Sequence, residues 1–265
     1  MKPPLIVSIA LLGAASGLPG QKLLIAELKP PTIQAFDAYV RTAESVVNER
    51  ASGKRSFLWT DESPERRGEV LRGNIALEYR SAGTPIPDGT VEDWIGAVFV
   101  PGASLEQALA MVQDYDNHKN IYRPEVIDSH LLKRNGDDFQ ISLRLKKHKV
   151  ITVVLDTEHS VRYSRLGKDR CYSRSASTKI AELADPGEDG ERELPPGRDH
   201  GFLWRLNSYW RFQERDGGVF IECEAISLSR DIPFAVSWLV KPIVHELPRE
   251  SLENTLRLTR EALGR

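Results

Sequence analysis

Residues 201–232, GFLWRLNSYWRFQERDGGVFIECEAISLSRDI, contain two runs of alternating apolar and polar side chains on either side of Asp216-Gly217. An Asp-Gly pair between two such runs predicts a β-hairpin with a tight turn. With Arg215 opposite Gly218, the register brings three cross-strand pairs onto one face of the hairpin. These pairs are Phe212 with Ile221, Trp210 with Cys223, and Leu206 with Ser227.

The opposite face of this hairpin is polar and carries Tyr209, Arg211, Glu222 and Glu224. An antiparallel sheet with one apolar and one polar face normally covers the first and exposes the second to water. Residues 237–263 follow the hairpin and predict a long helix that is able to supply the cover. The hairpin therefore predicts one wall of a cavity, with an outer face that is exposed to solvent and an inner face that is covered.

The composition excludes several classes of protein. With 40% hydrophobic and 28% charged residues, the 265-residue chain is typical of one substantial globular domain with an extension. A net charge of −2, with acids and bases interspersed, argues against a nucleic-acid partner. Cys171 and Cys223 form no Cys-x-x-Cys motif and lie two predicted strands apart, so we expect two buried thiols. No metal site and no cofactor are predicted; the Asp114, Asp116 and His118 group is expected to brace a loop.

The N-terminal residues 1–20, MKPPLIVSIALLGAASGLPG, have the pattern of a secretory signal peptide. One Lys precedes an apolar run at residues 5–12, and small residues follow at 14–17. The apolar run is well short of the roughly 20 residues that a spanning helix needs. We therefore expect cleavage and export to the periplasm or the medium, with no transmembrane segment in the mature protein. The alternatives are an uncleaved anchor or a buried N-terminal segment.

The rest of the chain divides into two predicted parts. Residues 21–91 are expected to form an N-terminal helix and an extension with a short strand near residues 75–80. Residues 92–265 are expected to form the main domain. Its predicted order is a strand, a helix that begins with a capping box at Ser104 and Gln107, a meander of strands joined by polar turns, the hairpin and the long helix.

This order of elements, together with three segments, resembles the START-like superfamily (SRPBCC, polyketide cyclase-like), and especially its exported bacterial members. The segments are DYDNHKNIYRPEV at 114–126, WRFQERDGGVFIECEAISLSRDIP at 210–233 and ESLENTLRLTREAL at 250–263. The resemblance covers about residue 92 onward and implies an α+β helix-grip fold. In that fold a curved antiparallel sheet wraps around a long C-terminal helix and leaves a cavity between them. Members bind lipids, sterols, polyketides or hormones, and some are cyclases or other enzymes. The extension lies outside the match and would either lid the cavity or brace the sheet.

Strand alternation predicts which side chains face the cavity, because alternate residues of a strand point to the same side. The predicted ligand-binding residues are Leu143, Val153, Leu155, His159, Tyr163, Leu206, Trp210, Phe212, Ile221 and Ala225. Most of these side chains are apolar. They predict a hydrophobic or amphipathic, lipid-like small molecule as the partner, with transient membrane contact as an option.

A polar anchor is also predicted at His159, which interrupts this apolar lining. If Arg165 opposes Arg170 across the turn, Tyr172 and Arg174 join the same face as ligand-binding residues. Arg174 would then hold a carboxylate or phosphate beside His159. The alternative is a one-residue shift that sends Arg174 to the solvent face and leaves His159 as a satisfied core residue.

Three functions are consistent with these patterns. The first is an exported binding or carrier protein for a hydrophobic or amphipathic molecule. The second is a START-like enzyme of the cyclase or hydrolase type that uses His159 and Arg174 as acid/base and oxyanion partner. The third is an interaction module with a filled core. The apolar inner face, the export signal and the resemblance favour the first.

Overall fold

One curved antiparallel sheet of nine strands organises the molecule. The computed structural model describes residues 25–81, 84, 86–148, 152–195, 199–231 and 246–264, so the signal-peptide prediction lies outside the described residues. The strands are β1 Ala76–Tyr79, β2 Gly89–Pro101, β3 Val126–Asn135, β4 Asp138–His148, β5 Thr152–Arg165, β6 Arg170–Ala184, β7 Arg192–Glu193, β8 Arg205–Arg215 and β9 Gly218–Arg230. Their order in the sheet is β1-β2-β9-β8-β6-β5-β4-β3, and β7 pairs with β6.

The helices lie on both sides of the sheet. They are α1 Pro30–Ala51, α2 Pro64–Leu71, α3 Leu105–Gln113, α4 His118–Ile121 and α5 Leu247–Leu263. The predicted α+β helix-grip fold is confirmed: α5 lies in the concave face of the sheet. The part of the predicted C-terminal helix at residues 237–245 lies outside the described residues. No helix in the described part of the chain is both long and apolar enough to cross a membrane.

The hairpin of β8 and β9 has the predicted register. Arg215 is opposite Gly218, and Trp210 is opposite Cys223. The turn is closed by Asp216 at φ 56° and Gly217 at φ 77°, the left-handed conformation that an Asp-Gly turn supplies. This tight turn fixes the register of the two strands, so the residues on each face of the hairpin are those expected from the sequence.

Helices α3 and α5 pack on the concave face. Leu252 and Leu256 of α5 are buried against β2, where Gly96 permits the close approach. A Cβ atom at Gly96 would lie 2.6 Å from Leu256 Cδ1, closer than packed side chains tolerate. At one end of the sheet, α3 begins with the predicted capping box of Ser104 and Gln107 and fills the space beneath it with apolar side chains. The other end of the concave face is less completely filled.

The convex face is also covered by other parts of the chain, and the prediction that it is exposed to solvent is wrong. Phe36 and Val47 of α1 pack against Ile226 and Leu228 of β9. The segment at residues 57–59 packs on the adjoining part of β2 and β9. Alternation along a strand reports which residues share a face, but it does not report whether a distant helix covers that face. The N-terminal extension therefore braces the sheet from the side opposite to α5.

Charged side chains lie buried beneath this cover. Glu222 receives a hydrogen bond from Arg211 Nε at 3.0 Å, and the backbone N–H groups of Trp59 and Thr60 donate to it at 2.9 and 2.8 Å. The side chains of Arg211 and Glu222 are almost wholly inaccessible to water. A buried ion pair is tolerated only when such additional hydrogen bonds offset the loss of hydration. Here the backbone of the extension supplies them to Glu222, whereas Nη1 and Nη2 of Arg211 are buried without a hydrogen-bond partner among the described residues.

A second buried acid lies nearby on β2. Asp93 Oδ2 accepts a hydrogen bond of 2.7 Å from the hydroxyl of Tyr39 on α1, whereas its Oδ1 atom is buried without a hydrogen-bond partner. Burial, and then the negative charge of Glu224, raise the pKa of Asp93 to about 7, although Tyr39 and Arg80 act in the opposite direction. The convex face thus holds α1 through polar contacts as well as through apolar packing.

The sheet also includes residues from before position 92. Strand β1 pairs with β2 from Ala76 opposite Ala97 to Tyr79 opposite Trp94, and β2 itself begins at Gly89. Both cysteines are buried and free. The division of the chain into residues 1–20, 21–91 and 92–265 stays a prediction.

Candidate functional site

A cavity of about 300 Å³ lies between the concave face and α5. Eight of the predicted ligand-binding residues line it. They are Leu143, Val153, Leu155, His159, Tyr163, Leu206, Trp210 and Ala225. Because β4, β5, β8 and β9 all contribute, the cavity crosses most of the sheet, and α5 closes it from the other side with residues such as Leu252 and Leu258. Its walls are mainly aliphatic and aromatic, as expected for a small-molecule site.

Two predicted residues face the same side but do not line the cavity. Phe212 and Ile221 are fully buried in the apolar cluster beneath α3. At this end of the sheet, Leu105 and Leu109 of α3 occupy the space that a ligand would need. Strand parity gave the correct face, but it carries no information on how far along the strand the cavity extends.

The structure contradicts the assignment of Tyr172 and Arg174 to the cavity. Leu166 N donates to Arg170 O at 2.9 Å, so the turn between β5 and β6 has three residues and Arg165 lies opposite Cys171. A shift of one residue moves every side chain of a strand to the other face. Both side chains therefore lie on the convex face.

Arg174 has a structural contact on that face. Its Nη2 atom donates to Asn48 Oδ1 of α1 at 2.5 Å, and its guanidinium lies 5.6 Å from the ring of Tyr172. His159, in contrast, lies on the concave face of the sheet and lines the cavity. The predicted pairing of His159 with Arg174 is therefore wrong, and no step that needs both groups has a geometric basis.

His159 has a defined tautomer. The hydroxyl of Thr157 donates to Leu143 O at 3.0 Å, and His159 Nε2 lies 3.0 Å from Thr157 Oγ1. Because the hydroxyl hydrogen of Thr157 is already used, the proton in the second bond belongs to His159 Nε2. Burial lowers the pKa of His159 to about 4, so the ring is neutral near pH 7. Its Nδ1 atom is then an acceptor, as one nitrogen of a neutral imidazole must be.

A second neutral histidine lines the cavity near α3. His118 Nε2 lies 3.1 Å from Val112 O, which only accepts, so Nε2 carries the proton. Burial lowers the pKa of His118 to about 4. The ring packs between Tyr115 and Tyr122, with centroid distances of 4.8 and 5.0 Å. Among the described residues, no group of histidine, cysteine and acidic side chains is arranged to hold a metal ion.

Comparison with known proteins identifies the fold. No protein-family model and no curated protein sequence matches this chain. The solved STAR-related lipid transfer protein from Xanthomonas axonopodis superposes with a TM-score of 0.51 and 17% identity, over 72% of this chain and 94% of that chain. The chain has the START-like helix-grip fold. The resemblance seen in the sequence is confirmed at this level.

Two further solved structures are similar to this chain in fold. Human STARD10 matches with a TM-score of 0.47 and 9% identity, over 70% of this chain and 69% of that chain. The Zhui aromatase/cyclase from a Streptomyces species matches with a TM-score of 0.43 and 10% identity, over 66% of this chain and 94% of that chain. At such identities the likeness concerns the fold, and the ligand must be argued from the residues of this chain.

A row of hydroxyl groups crosses the sheet side of the cavity. It consists of Ser173 and Ser175 on β6 and Ser208 on β8, and Ser175 lies directly opposite Ser208. None of the three side chains has a hydrogen-bond partner in the part of the chain that the structure describes. Small side chains at these positions also make room, since larger ones would fill the space that the cavity occupies.

A polar cluster closes the end of the cavity farthest from α3. Lys147 on β4 contacts Glu125 and Ser251, and Asn254 Nδ2 donates to Glu125 Oε1 at 2.8 Å. Burial alone would raise the pKa of Glu125, but the charge and hydrogen bond of Lys147 outweigh it and leave the pKa below its usual value. Glu125, Lys147 and Asn254 also line an outer groove of about 420 Å³. This ion pair therefore forms a wall between the cavity and the groove.

Sequence reasoning missed part of the site. It did not place Ser173, Ser175, His118 or the Lys147–Glu125 pair around the cavity. Strand alternation does predict that Ser208 faces the cavity, since it lies between Leu206 and Trp210 on the same face of the same strand. The remaining groups depend on the β5–β6 turn and on contacts between distant elements, which leave no local pattern in the sequence.

Proposed function

We propose that this chain is an exported binding or carrier protein for a hydrophobic or amphipathic small molecule held between the concave face of the sheet and α5. The cavity of about 300 Å³ carries this proposal. Its size is at the lower end of the range for small-molecule sites, and aliphatic and aromatic side chains dominate its walls. A mainly apolar space of this size is costly to leave empty.

The fold supports the same reading by analogy. A protein named as a STAR-related lipid transfer protein shares it, although a shared fold does not transfer a ligand. The filled-core alternative is disfavoured by the cavity itself. The enzyme alternative depended on His159 and Arg174 acting together, and these residues lie on opposite faces of the sheet.

Export is part of the proposal and rests on the pattern of residues 1–20. Fractionation of a bacterial host that expresses the full chain tests it. We expect the protein in the periplasm or the medium, with an N-terminus near residue 20 by peptide mapping. Full-length protein confined to the cytoplasm would contradict this part of the proposal without affecting the binding site.

Blocking the cavity tests the binding function. Ala225 lines the cavity, whereas Ala176 is exposed on the convex face of β6, so the same change to tryptophan at each position makes a matched pair. The uncharged fluorescent probe N-phenyl-1-naphthylamine should bind the full chain saturably. We expect Ala225→Trp to abolish this binding and Ala176→Trp to preserve it, with urea unfolding as the check on folding. Equal binding by Ala225→Trp would remove the cavity as the site.

A further inference from the structure

His159 Nδ1 is an acceptor on the cavity wall that no described residue uses. The fixed tautomer of His159 leaves Nδ1 with a lone pair, and this atom has no hydrogen-bond partner in the described part of the chain. The side chain is only 4% exposed. An acceptor on the wall of a mainly apolar cavity has few hydrogen-bond donors within reach. A ligand that donates a hydrogen bond would supply one.

The hydroxyl row lies next to this acceptor. His159 and Val161 point to the same side of β5, and Val161 lies directly opposite Ser175, so Ser175 is a diagonal neighbour of His159. Ser208 continues the row on the next strand. Diagonal and direct neighbours in a sheet lie within roughly 5–8 Å of each other. An acceptor and two hydroxyl groups therefore converge on one part of the wall.

The same wall offers no free charge. Among the described residues that line the cavity, Glu125 and Lys147 are the ones with a formal charge near pH 7, and they pair with each other. An ionised head group would lose its hydration on entry and find no unpaired counter-charge. The hydroxyl of an uncharged molecule donates one hydrogen bond and accepts others, which matches the groups around His159.

We propose that the cavity selects an uncharged ligand with a hydroxyl group on a hydrophobic body. The ligand hydroxyl donates to His159 Nδ1, and Ser175 or Ser208 donates to its oxygen. His159 is thus a specificity-determining residue. This inference rests on the proposed binding function and names its ligand class.

Three probes of equal chain length separate the relevant chemistry. Decan-1-ol donates and accepts, decyl methyl ether only accepts, and decanoate is charged. Calorimetric titration of the full chain at pH 7.5 should show decan-1-ol binding about tenfold more tightly than the ether, the effect of one additional buried hydrogen bond. Decanoate should bind more weakly than decan-1-ol.

Two histidine variants then locate the acceptor. His159→Phe keeps a ring but removes the acceptor, so this variant should bind the alcohol and the ether with about equal affinity. His118→Phe tests the competing acceptor, because His118 also lines the cavity with a buried neutral ring, but two tyrosine rings enclose it. The control is His130→Phe, a change at an exposed histidine of β3 that contacts Asp128 and lies outside the cavity lining. We expect His118→Phe and His130→Phe to retain the preference. Loss of the preference in His118→Phe and not in His159→Phe would overturn the assignment to His159.

A spectroscopic measurement keeps the test valid if His159→Phe does not fold. Imidazole ¹⁵N resonances of the unaltered chain should show His159 Nδ1 unprotonated and Nε2 protonated. Decan-1-ol should shift the Nδ1 resonance, and the ether should leave it unchanged. A protonated Nδ1, or equal shifts with both probes, would overturn the inference.

The outcomes separate this inference from the proposed function. If none of the three probes binds, the binding function fails and the inference with it. If decan-1-ol and the ether bind equally, or the preference survives in His159→Phe, the binding function stands and the inference is wrong. If decanoate binds most tightly, the ligand class is wrong, and Lys147 becomes the candidate partner for its carboxylate.

Discussion

The two faces of the sheet bury polar groups of different kinds. On the convex face, Glu222 accepts from Arg211 and from two backbone N–H groups, whereas Nη1 and Nη2 of Arg211 and Oδ1 of Asp93 are buried there without a hydrogen-bond partner among the described residues. The segment at residues 57–60 and α1 cover this face. On the concave face, His159 Nδ1 and the serine hydroxyls adjoin a cavity without a protein partner in the described part of the chain. The convex groups are charged, whereas those around His159 are neutral.

This difference separates buried polar groups that stabilise the fold from buried polar groups that are available to a ligand. A charge removed from water needs several partners at once, so the convex network specifies how the extension docks. Neutral hydroxyl and imidazole groups cost less to leave partly unsatisfied beside a cavity, and a ligand is able to complete them. Changes on the convex face should therefore affect stability, and changes on the concave face should affect binding.

The largest expected effect is on the convex face, at Glu222. In Glu222→Gln, one amide oxygen replaces two carboxylate oxygens that together accept from Arg211, Trp59 and Thr60. The buried charge of Arg211 then keeps only Glu224, at 3.7 Å, as an ion-pair partner among the described residues. We expect a loss of about 3 kcal/mol or more in the free energy of unfolding, measured with urea. The control is Arg162→Gln, which removes an exposed ion pair with Asp138 and should leave the free energy of unfolding nearly unchanged.

The second prediction concerns pH and Asp93. Its pKa of about 7 in the folded protein exceeds the ordinary value of 3.8, so the folded state binds more protons than the unfolded state between these values. The contribution of Asp93 to the free energy of unfolding is therefore fully present below about pH 4 and is lost as pH rises to about 7.

Asp93→Asn removes this titration and keeps an acceptor for Tyr39. We expect the variant to gain stability relative to the natural protein as pH rises from 4 to 7, and to show a constant difference above that range. Urea unfolding at several pH values measures it. A constant difference between the two proteins from pH 4 to 8 would show that Asp93 is ionised throughout.

A smaller effect compares two serines. Ser81 Oγ donates to Val91 O at 2.8 Å and accepts from Asp93 N at 3.2 Å, whereas Ser208 has no side-chain partner among the described residues. We expect Ser81→Ala to lower the free energy of unfolding by about 1–2 kcal/mol and Ser208→Ala to leave it nearly unchanged. If Ser208→Ala proves the more destabilising of the two, the division between partnered and unpartnered hydroxyl groups fails.

The smallest effect is expected at Arg174. Arg174→Ala removes one partly exposed hydrogen bond to Asn48 of α1, so the free energy of unfolding should fall by less than about 1 kcal/mol. Binding of N-phenyl-1-naphthylamine should not change, because the side chain lies on the convex face. A large loss of binding would restore Arg174 to the cavity and contradict the observed β5–β6 register.

The fold was largely predictable because its strongest signals are local. The Asp216-Gly217 turn fixes the register of β8 and β9, and the capping box at Ser104 marks the start of α3. At the β5–β6 turn, loops of three and four residues fit the sequence equally well. This difference of one residue in loop length decides whether Arg174 faces the cavity.

The convex network was not predictable for a different reason. Glu222 is 163 and 162 residues from the backbone groups of Trp59 and Thr60 that satisfy it. A charge that pairs through long-range contacts looks in the sequence like a charge exposed to water. The same limit applies to the cavity, whose polar end joins Lys147 of β4 to Ser251 of α5.

Native mass spectrometry of the full chain as expressed, with a denatured control, measures whether the cavity holds a ligand. We expect an excess mass that is lost on denaturation, extracts into organic solvent and is absent from Ala225→Trp. Its organic extract should contain an uncharged molecule with a hydroxyl group. A clean polypeptide mass in the native state, together with no uptake of N-phenyl-1-naphthylamine or decan-1-ol, would contradict the claim that this cavity binds a ligand.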